Sequence, residues 1–315
     1  MIAAHVFDAA LALLVLGVAV WTVTAGPTFA AVIGFVAYGL LLALVWVRIA
    51  AVDVALTEAA VGSGVTGALL ISAAARLRPT EQRAAAEQPG PAMRFAAAVL
   101  ALLVAAGLAA LVLFPAEPAP TLAPAVAAHL QVLDVGNPVT AVLLAYRSLD
   151  TLLEKVVLLL ALMGVWSVAP DLFWGGAPRL WPGGHQGGEL LLLARLLPPI
   201  GIVIGVYILW VGAVAPGGAF QSGAILAAMW LLVMIAGLQK APEIGQWRLR
   251  IILVAGPAVF LAVGLAGFAL PNGFLSYPEE YAKPLIIAVE VVLTLSIAAI
   301  LGLLVAGPPE SERQR

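Results

Sequence analysis

The sequence has 315 residues, of which 63% are hydrophobic and 10% charged, and its mean hydropathy is +1.10. Soluble proteins are about half apolar and about a quarter charged, so this composition indicates a polytopic membrane protein and excludes disordered, coiled-coil and secreted disulfide-rich chains. The lack of cysteine, three scattered histidines and a net charge of −2 exclude thiolate chemistry and argue against a metal cluster or nucleic-acid binding.

The apolar segments predict an all-α, polytopic integral membrane protein with about nine transmembrane helices, because a spanning helix needs about 20 apolar residues. The candidates are 3–24, 28–48, 54–75, 95–114, 139–168, 189–212, 218–238, 250–269 and 285–306. Proline and glycine mark most of the breaks between them. No nucleotide-binding motif interrupts the series.

Most basic residues lie in every second connection or at the C-terminus, whereas the connections 115–137 and 213–218 contain none. The positive-inside rule therefore predicts a cytoplasmic C-terminus and, with nine spans, an N-terminus outside. Arg48 and Lys283 depart from this pattern. The breaks also suggest three modules, of three, two and four helices, at 1–80, 81–170 and 171–315. No internal repeat is recognisable, which argues against a stand-alone transporter.

Glu58 is an ionisable group about one turn inside the third span, where an unpaired charge costs a few kcal/mol. Gly62, Gly64 and Gly67 follow it. They can simply allow a neighbouring helix to approach closely, or they can weaken the helix so that a π-bulge or water enters beside the carboxylate. Asp53, one turn earlier, is expected at the membrane interface with a structural role.

The fifth span begins with a ladder of charges. Arg147, Asp150 and Glu154 are spaced by three and four residues and therefore share a helical face, and Thr151 and Lys155 form a second pair beside them. Two interpretations stay open: a self-neutralised polar stripe that joins two helices, or a proton or ion relay.

Two further features lie in the last module. Glu290 is about two turns inside the ninth span with Thr294 one turn later, and both a functional and a structural role are open. The stretch 216–223 starts with Pro-Gly-Gly and predicts a tight turn that leaves backbone amides free at a helix N-terminus, which carries partial positive charge.

Together these segments resemble a known family. Residues 53–67 resemble the signature of a small three-helix subunit of energy-converting membrane-bound hydrogenases, which recurs in the large subunit of Mrp-type multisubunit Na+/H+ antiporters. Residues 139–165 resemble the next, two-helix unit, whose signature includes Ala-Tyr-Arg-x-Leu-Asp-Thr-Leu-x-Glu. Residues 216–223, with the four spans around them, resemble the B-type subunit of the same antiporters. The sequence departs from the family at Leu153, usually glycine, and at Lys155, usually apolar or small.

The resemblance implies a fused membrane subunit of a Na+/H+ antiporter in a prokaryotic cell (inner) membrane. It implies partners in the bilayer, namely the large proton-pumping subunits and other small subunits, and no cofactor beyond the transported Na+ and H+. The residues that it implies for ion translocation are Glu58, Asp150, Glu154 and Glu290, and we add Arg147 and Lys155 as parts of one polar track with Glu58.

Three alternatives remain from the sequence. The chain can serve a redox-driven pump such as a membrane-bound hydrogenase, or it can be a structural adaptor between pumping subunits. A membrane enzyme ranks last, because the sequence offers no nucleophile–base arrangement and no set of metal ligands.

Overall fold

The computed structural model describes residues 2–84, 90–114, 121–178 and 187–310, and within these ranges the chain is helical with no strand beyond one isolated bridge between Pro178 and Pro309. The helices in chain order are α1 (Ile2–Thr24), α2 (Thr28–Arg48), α3 (Val52–Thr57, π-helical Glu58–Val65 and Thr66–Ala84), α4 (Pro91–Leu113), α5 (Ala123–His129), α6 (Pro138–Ala141, continued by π-helical Val142–Tyr146), α7 (Ser148–Ser167), α8 (Gly188–Val211), α9 (Ala219–Ile235), α10 (Trp247–Ala266) and α11 (Ala282–Ala306).

The helical membrane architecture predicted from the sequence is confirmed. Seven helices in the described ranges are long and apolar enough to cross a bilayer. They are Ala3–Thr24, Thr28–Arg48, Val52–Leu77, Pro91–Leu113, Gly188–Val211, Trp247–Ala269 and Glu279–Ala306. The other two predicted spans are also helical, but α6 and α7 are separated by a break at Arg147 and α9 has only 17 residues. The count of nine spans and the orientation of the termini stay predictions.

The densest packing surrounds α11, against which α9 and α10 lie. Small residues permit these close approaches: Gly223 lies against Ile297, and the Ser296 hydroxyl accepts a hydrogen bond from the Gly256 amide at 2.8 Å. Ser296 also donates to the Ile252 carbonyl at 2.6 Å. A buried hydroxyl that bonds two backbone groups joins the helices without leaving a polar group unsatisfied.

The first three helices form a separate layer, in which α2 packs against α1 and α3. Gly67 of α3 leaves space for the Val36 side chain of α2, so it serves close helix packing. The N-terminal half of α3 also contacts α9, which brings the first module against the last. By contrast, α4 has no buried residue anywhere along Pro91–Leu113.

Candidate functional site

A cavity of about 280 Å³ lies where α3, the α6–α7 segment, α9 and α11 meet. All three predicted modules contribute to its wall. The ionisable and polar side chains that line it are Thr57, Thr140, Thr151, Glu154, Lys155, Gln221 and Glu290. The remaining wall is apolar and includes Val61, Phe220 and Leu293. The cavity is large enough for several water molecules, and it offers the polar partners that buried water requires.

Lys155 enters this cavity from α7 and is only 5% exposed. Its Nζ atom lies 2.7 Å from Oε1 of Glu154, whose side chain is half exposed, and 4.4 Å from the ring centroid of Phe220. The ammonium group is therefore held between a carboxylate at the mouth and an aromatic face.

Glu290 enters the cavity from α11 and is 4% exposed. Its carboxylate lies beside the start of α9, where a Cβ atom on Gly218 would come within 3.2 Å of Oε1. The Pro-Gly-Gly stretch makes this contact possible, since Gly217 and Gly218 have φ values of +157° and +124°, where residues with a Cβ atom are strained. The free amides at the N-terminus of α9 thus face a carboxylate, which suits the positive end of a helix dipole.

Asp53 connects segments of the three predicted modules beside the cavity. Its Oδ1 atom accepts hydrogen bonds from the Gly217 amide at 3.0 Å and from Nδ2 of Asn137 at 3.3 Å. Asn137 Nδ2 also donates to the Ala215 carbonyl at 3.0 Å, and its own side-chain oxygen caps α6 through the Val139 amide at 2.9 Å. Asp53 is therefore a structural link between α3, α6 and the turn before α9.

The start of the fifth predicted span is not a regular α-helix. Residues Val142–Tyr146 are π-helical, and Arg147 breaks the helix with φ −127° and ψ +34°. The Thr151 hydroxyl donates to the Leu143 carbonyl at 2.6 Å. A side-chain donor of this kind satisfies a carbonyl that the irregular backbone would leave without its usual helical partner.

The charge ladder is divided between two faces of α7. Ser148, Thr151 and Lys155 are buried, so they form its inner face. Arg147 and Asp150 pair at 2.6 Å with 69% and 55% of their side chains exposed, which places this ion pair on the outside. Only Glu154 and Lys155 of the predicted charged set on this helix line the cavity.

Glu58 opens the π-helical segment of α3 and is partly buried, but it does not line the cavity. Its carboxylate lies against Gly62 of the same helix and Gly39 of α2, where a Cβ atom on either glycine would crowd it. The neighbouring Thr57 and Val61 face the cavity instead. The structure therefore places Glu58 at a second position, between α2 and α3, rather than in one continuous track with Lys155.

Gly64 belongs to the glycine cluster predicted from the sequence together with Gly62 and Gly67. It lies within the same π-helical segment as Glu58. A Cβ atom there would come within 3.1 Å of the Ala59 carbonyl oxygen. The glycine cluster thus coincides with the irregular backbone of α3.

The polar cavity residues that were not identified as site residues from the sequence include Thr140 and Gln221. Thr140 donates to the Gly212 carbonyl at 2.7 Å, and Gln221 donates through Nε2 to the Thr57 hydroxyl at 3.1 Å. The only local signal was the position of each, in the first turn of an apolar helix that follows a Pro- or Gly-containing turn. Nothing local indicated that both first turns would reach the same cavity.

Two family models match this chain. The MbhD model, which describes one of the subunits of MBH, matches residues 13–79, and the model of a domain related to the MnhB subunit of Na+/H+ antiporter matches residues 190–308. Over these two segments the chain is similar to a membrane-bound hydrogenase subunit and to the MnhB subunit of Na+/H+ antiporters. The resemblance seen in the sequence is thus confirmed.

Two solved complexes share the fold. A chain of the Mrp complex from a Dietzia species aligns over 96% of this chain and 35% of its own length, with a TM-score of 0.70 and 23% identity. A chain of the membrane-bound sulfane sulfur reductase, an archaeal respiratory membrane complex, aligns over 68% of this chain and 97% of its own length, with a TM-score of 0.52 and 24% identity.

A curated relative is the uncharacterized protein MJ1307 of Methanocaldococcus jannaschii. It is 28% identical over 169 residues, which cover 46% of this chain and 64% of that protein. The chain therefore spans somewhat less than two thirds of this relative, and about one third of the Dietzia chain.

Proposed function

We propose that this chain is a membrane subunit of an Mrp-type antiporter complex, and that the cavity containing Lys155 and Glu290 belongs to the path by which Na+ is exchanged for protons. The MnhB-related domain at 190–308 supports the first part. The observation that carries the second is the burial of two ionisable groups of opposite charge in one cavity at the junction of the three modules. Ionisable groups inside membrane spans are costly and are retained mainly for function.

The contacts of the two groups favour a proton relay. Lys155 pairs with Glu154, whereas the Glu290 carboxylate lies beside Gly218 at the start of α9. Both side chains line the cavity, and no salt bridge joins them among the described residues. Water in this space, held by the Gln221 amide and the threonine hydroxyls, would connect the two groups and allow a proton to pass between them.

Glu58 would act at a separate step. It lies beside the π-helical segment of α3 and faces α2, so a change of that segment to regular α-helix would turn its carboxylate relative to the cavity. We place Glu58 in the ion path on this basis, as a second carboxylate rather than as a direct neighbour of Lys155.

The exposed Arg147–Asp150 pair supports assembly with other membrane subunits. An ion pair at a lipid-facing position would be costly, so we propose that a neighbouring subunit covers it. The partners we propose are the large proton-pumping subunits and the small subunits of the complex, in a prokaryotic inner membrane. In this arrangement the chain is a transporter subunit and has no enzymatic reaction of its own.

The test measures Na+-dependent proton flux in vesicles that contain the assembled complex, with a pH-sensitive dye. Glu290→Gln keeps size and hydrogen bonding but removes the titratable group. We expect it to lower flux by about 100-fold, the lower end of the range for side chains that transfer protons. Lys155→Gln should have a similar effect. The matched controls are Glu280→Gln and Lys240→Gln, which alter exposed residues outside the cavity and should retain flux.

Copurification of the other subunits is measured in parallel. Wild-type flux from both cavity variants would refute the proposed ion path. Loss of the partner subunits, with unchanged flux in whatever complex remains, would favour the structural adaptor instead.

A redox-driven pump is the second candidate, because residues 13–79 match the hydrogenase subunit model and a respiratory membrane complex shares the fold. Identification of the copurifying subunits separates the two. Iron–sulfur and nickel proteins would accompany the chain in a membrane-bound hydrogenase, and large antiporter subunits without redox centres would accompany it in an antiporter.

A further inference from the structure

A second cavity, of about 390 Å³, lies on the outer side of α9, α10 and α11, away from the polar cavity. Its walls are apolar: Leu226 and Trp230 of α9, Ile252 of α10 and Leu295 of α11 line it. Ile252 and Leu295 are 43% and 56% exposed, so the cavity is a groove that opens sideways, toward the hydrocarbon of the bilayer.

Part of the wall of this groove is closely packed. Trp230 packs directly against α11 at Gly302, where a Cβ atom would come within 2.8 Å of its ring. Leu249 at the base is 7% exposed and belongs to the core. A groove with an apolar, partly packed wall suits an apolar occupant.

The mouth of the groove is polar and positively charged. Gln246 and Arg248 line it at the start of α10, next to the connection that follows α9. Arg248 is exposed, and its guanidinium lies 5.7 Å from the ring centroid of Trp247. Within the described ranges it forms no salt bridge. By contrast, the nearby Arg250 bonds the connection between α9 and α10, because its Nε atom donates to the Ile244 carbonyl at 3.1 Å.

We propose that this groove binds an anionic phospholipid, with an acyl chain along the apolar wall and the phosphate at Arg248 and Gln246. The charge favours an anionic lipid over a zwitterionic one, since the segment 236–250 contains three basic residues and one acidic residue. Guanidinium groups bind phosphate with two parallel hydrogen bonds, and basic pockets between membrane helices recognise anionic headgroups. Trp247 beside Arg248 suits the headgroup level of the membrane, where tryptophan is enriched.

The experiment uses the full-length chain in its membrane complex, exchanged into vesicles of phosphatidylcholine that contain a small fraction of phosphatidylglycerol. Lipids retained after purification are quantified by mass spectrometry. We expect phosphatidylglycerol to be enriched, and Arg248→Gln to weaken its binding about fivefold, as expected for loss of one basic contact at the membrane surface. Lys240→Gln is the matched control, because it removes the same charge from the same connection without lining the groove.

Two further variants separate a lipid from a protein occupant. Ala298→Phe fills the groove without a change of charge and should lower phosphatidylglycerol retention while phosphatidylcholine stays unchanged. Because the chain contains no cysteine, Leu295→Cys carries a photocrosslinker at a single site, which should label lipid. Equal retention of the two lipids, equal effects of Arg248→Gln and Lys240→Gln, or crosslinking of Leu295→Cys to another protein chain would each overturn the proposal.

Discussion

Replacement of Asp53 tests whether the junction of the three modules is held by one carboxylate. Asp53→Ala removes the acceptor of the Gly217 amide and of the Asn137 side chain, which come from different parts of the chain. The two donors would then lie in a partly buried junction without their partner. Buried donors without an acceptor lower the free energy of unfolding, because they have lost their bonds to water.

The size of the expected stability loss follows from the two hydrogen bonds. A hydrogen bond to a charged group contributes about 1.5–3 kcal/mol, and the partial exposure of Asp53 argues for the lower end. The 3.3 Å bond from Asn137 is the longer of the two, and Asn137 keeps its bond to the Ala215 carbonyl. We therefore expect a loss of about 3 kcal/mol, which for a chain of this length corresponds to a fall of roughly 4.5 °C in the melting temperature.

Thermal unfolding of the purified chain in detergent, followed by intrinsic tryptophan fluorescence, measures this loss. Asp53→Asn keeps one acceptor oxygen and should lose about half as much, since the bonds remain but the charge does not. Asp171→Ala, at an exposed position outside the junction, is the control and should leave the melting temperature unchanged. A melting temperature for Asp53→Ala within about 1 °C of wild type would refute the structural role of Asp53.

Two further predictions concern the backbone around the polar cavity. Gly218→Ala should destabilise the chain by about 1–3 kcal/mol, because φ is +124° and the new Cβ atom would lie 3.2 Å from Oε1 of Glu290; the loss is measured by the same thermal unfolding. Thr151→Val should cost about 1–3 kcal/mol, since the Leu143 carbonyl beside the π-helical segment loses its donor, and hydrogen exchange at α6 should accelerate.

The control for Thr151→Val is Ser167→Ala, which removes a hydroxyl that donates to the Gly164 carbonyl at an exposed position. This bond competes with water, so its loss should change stability by less than about 0.5 kcal/mol. Equal effects of the two variants would show that the Thr151 hydroxyl has no special role at the irregular helix. For Gly218→Ala, an unchanged melting temperature would contradict the strain inferred from its φ value.

Hydropathy was sufficient to locate the helices, and the reason is the solvent. A bilayer leaves the backbone no partner outside its own helix, so apolar segments of about 20 residues can hardly be anything else. Pro27 and the Pro-Gly-Gly stretch at 216–218 lie at helix boundaries in the structure, as the sequence predicted. The structure departs most from the predicted continuous spans where a span contains charged residues or has a short apolar segment.

Charge spacing was less informative than helix position. The spacing of Arg147, Asp150 and Glu154 predicted a single face, and the structure has Arg147 and Asp150 outside while Glu154 reaches the mouth of the cavity. Lys155, one residue later, lies about 100° further around the helix and is therefore buried. The helix break at Arg147 also changes the direction of its side chain relative to those of α7, which a regular helical periodicity does not predict.

The sequence by itself determined that the chain is a helical membrane protein, where its helices lie and which side chains are too polar for their surroundings. Only the tertiary structure decided that Lys155 and Glu290 share a cavity, that Glu58 faces α2 instead, and that Asp53 bonds both Asn137 and the turn before α9. The free energy of transfer from water to hydrocarbon depends on each segment separately, so the membrane spans can be predicted from the sequence. Contacts between distant segments depend on how helices pack, which small residues and single hydrogen bonds decide together.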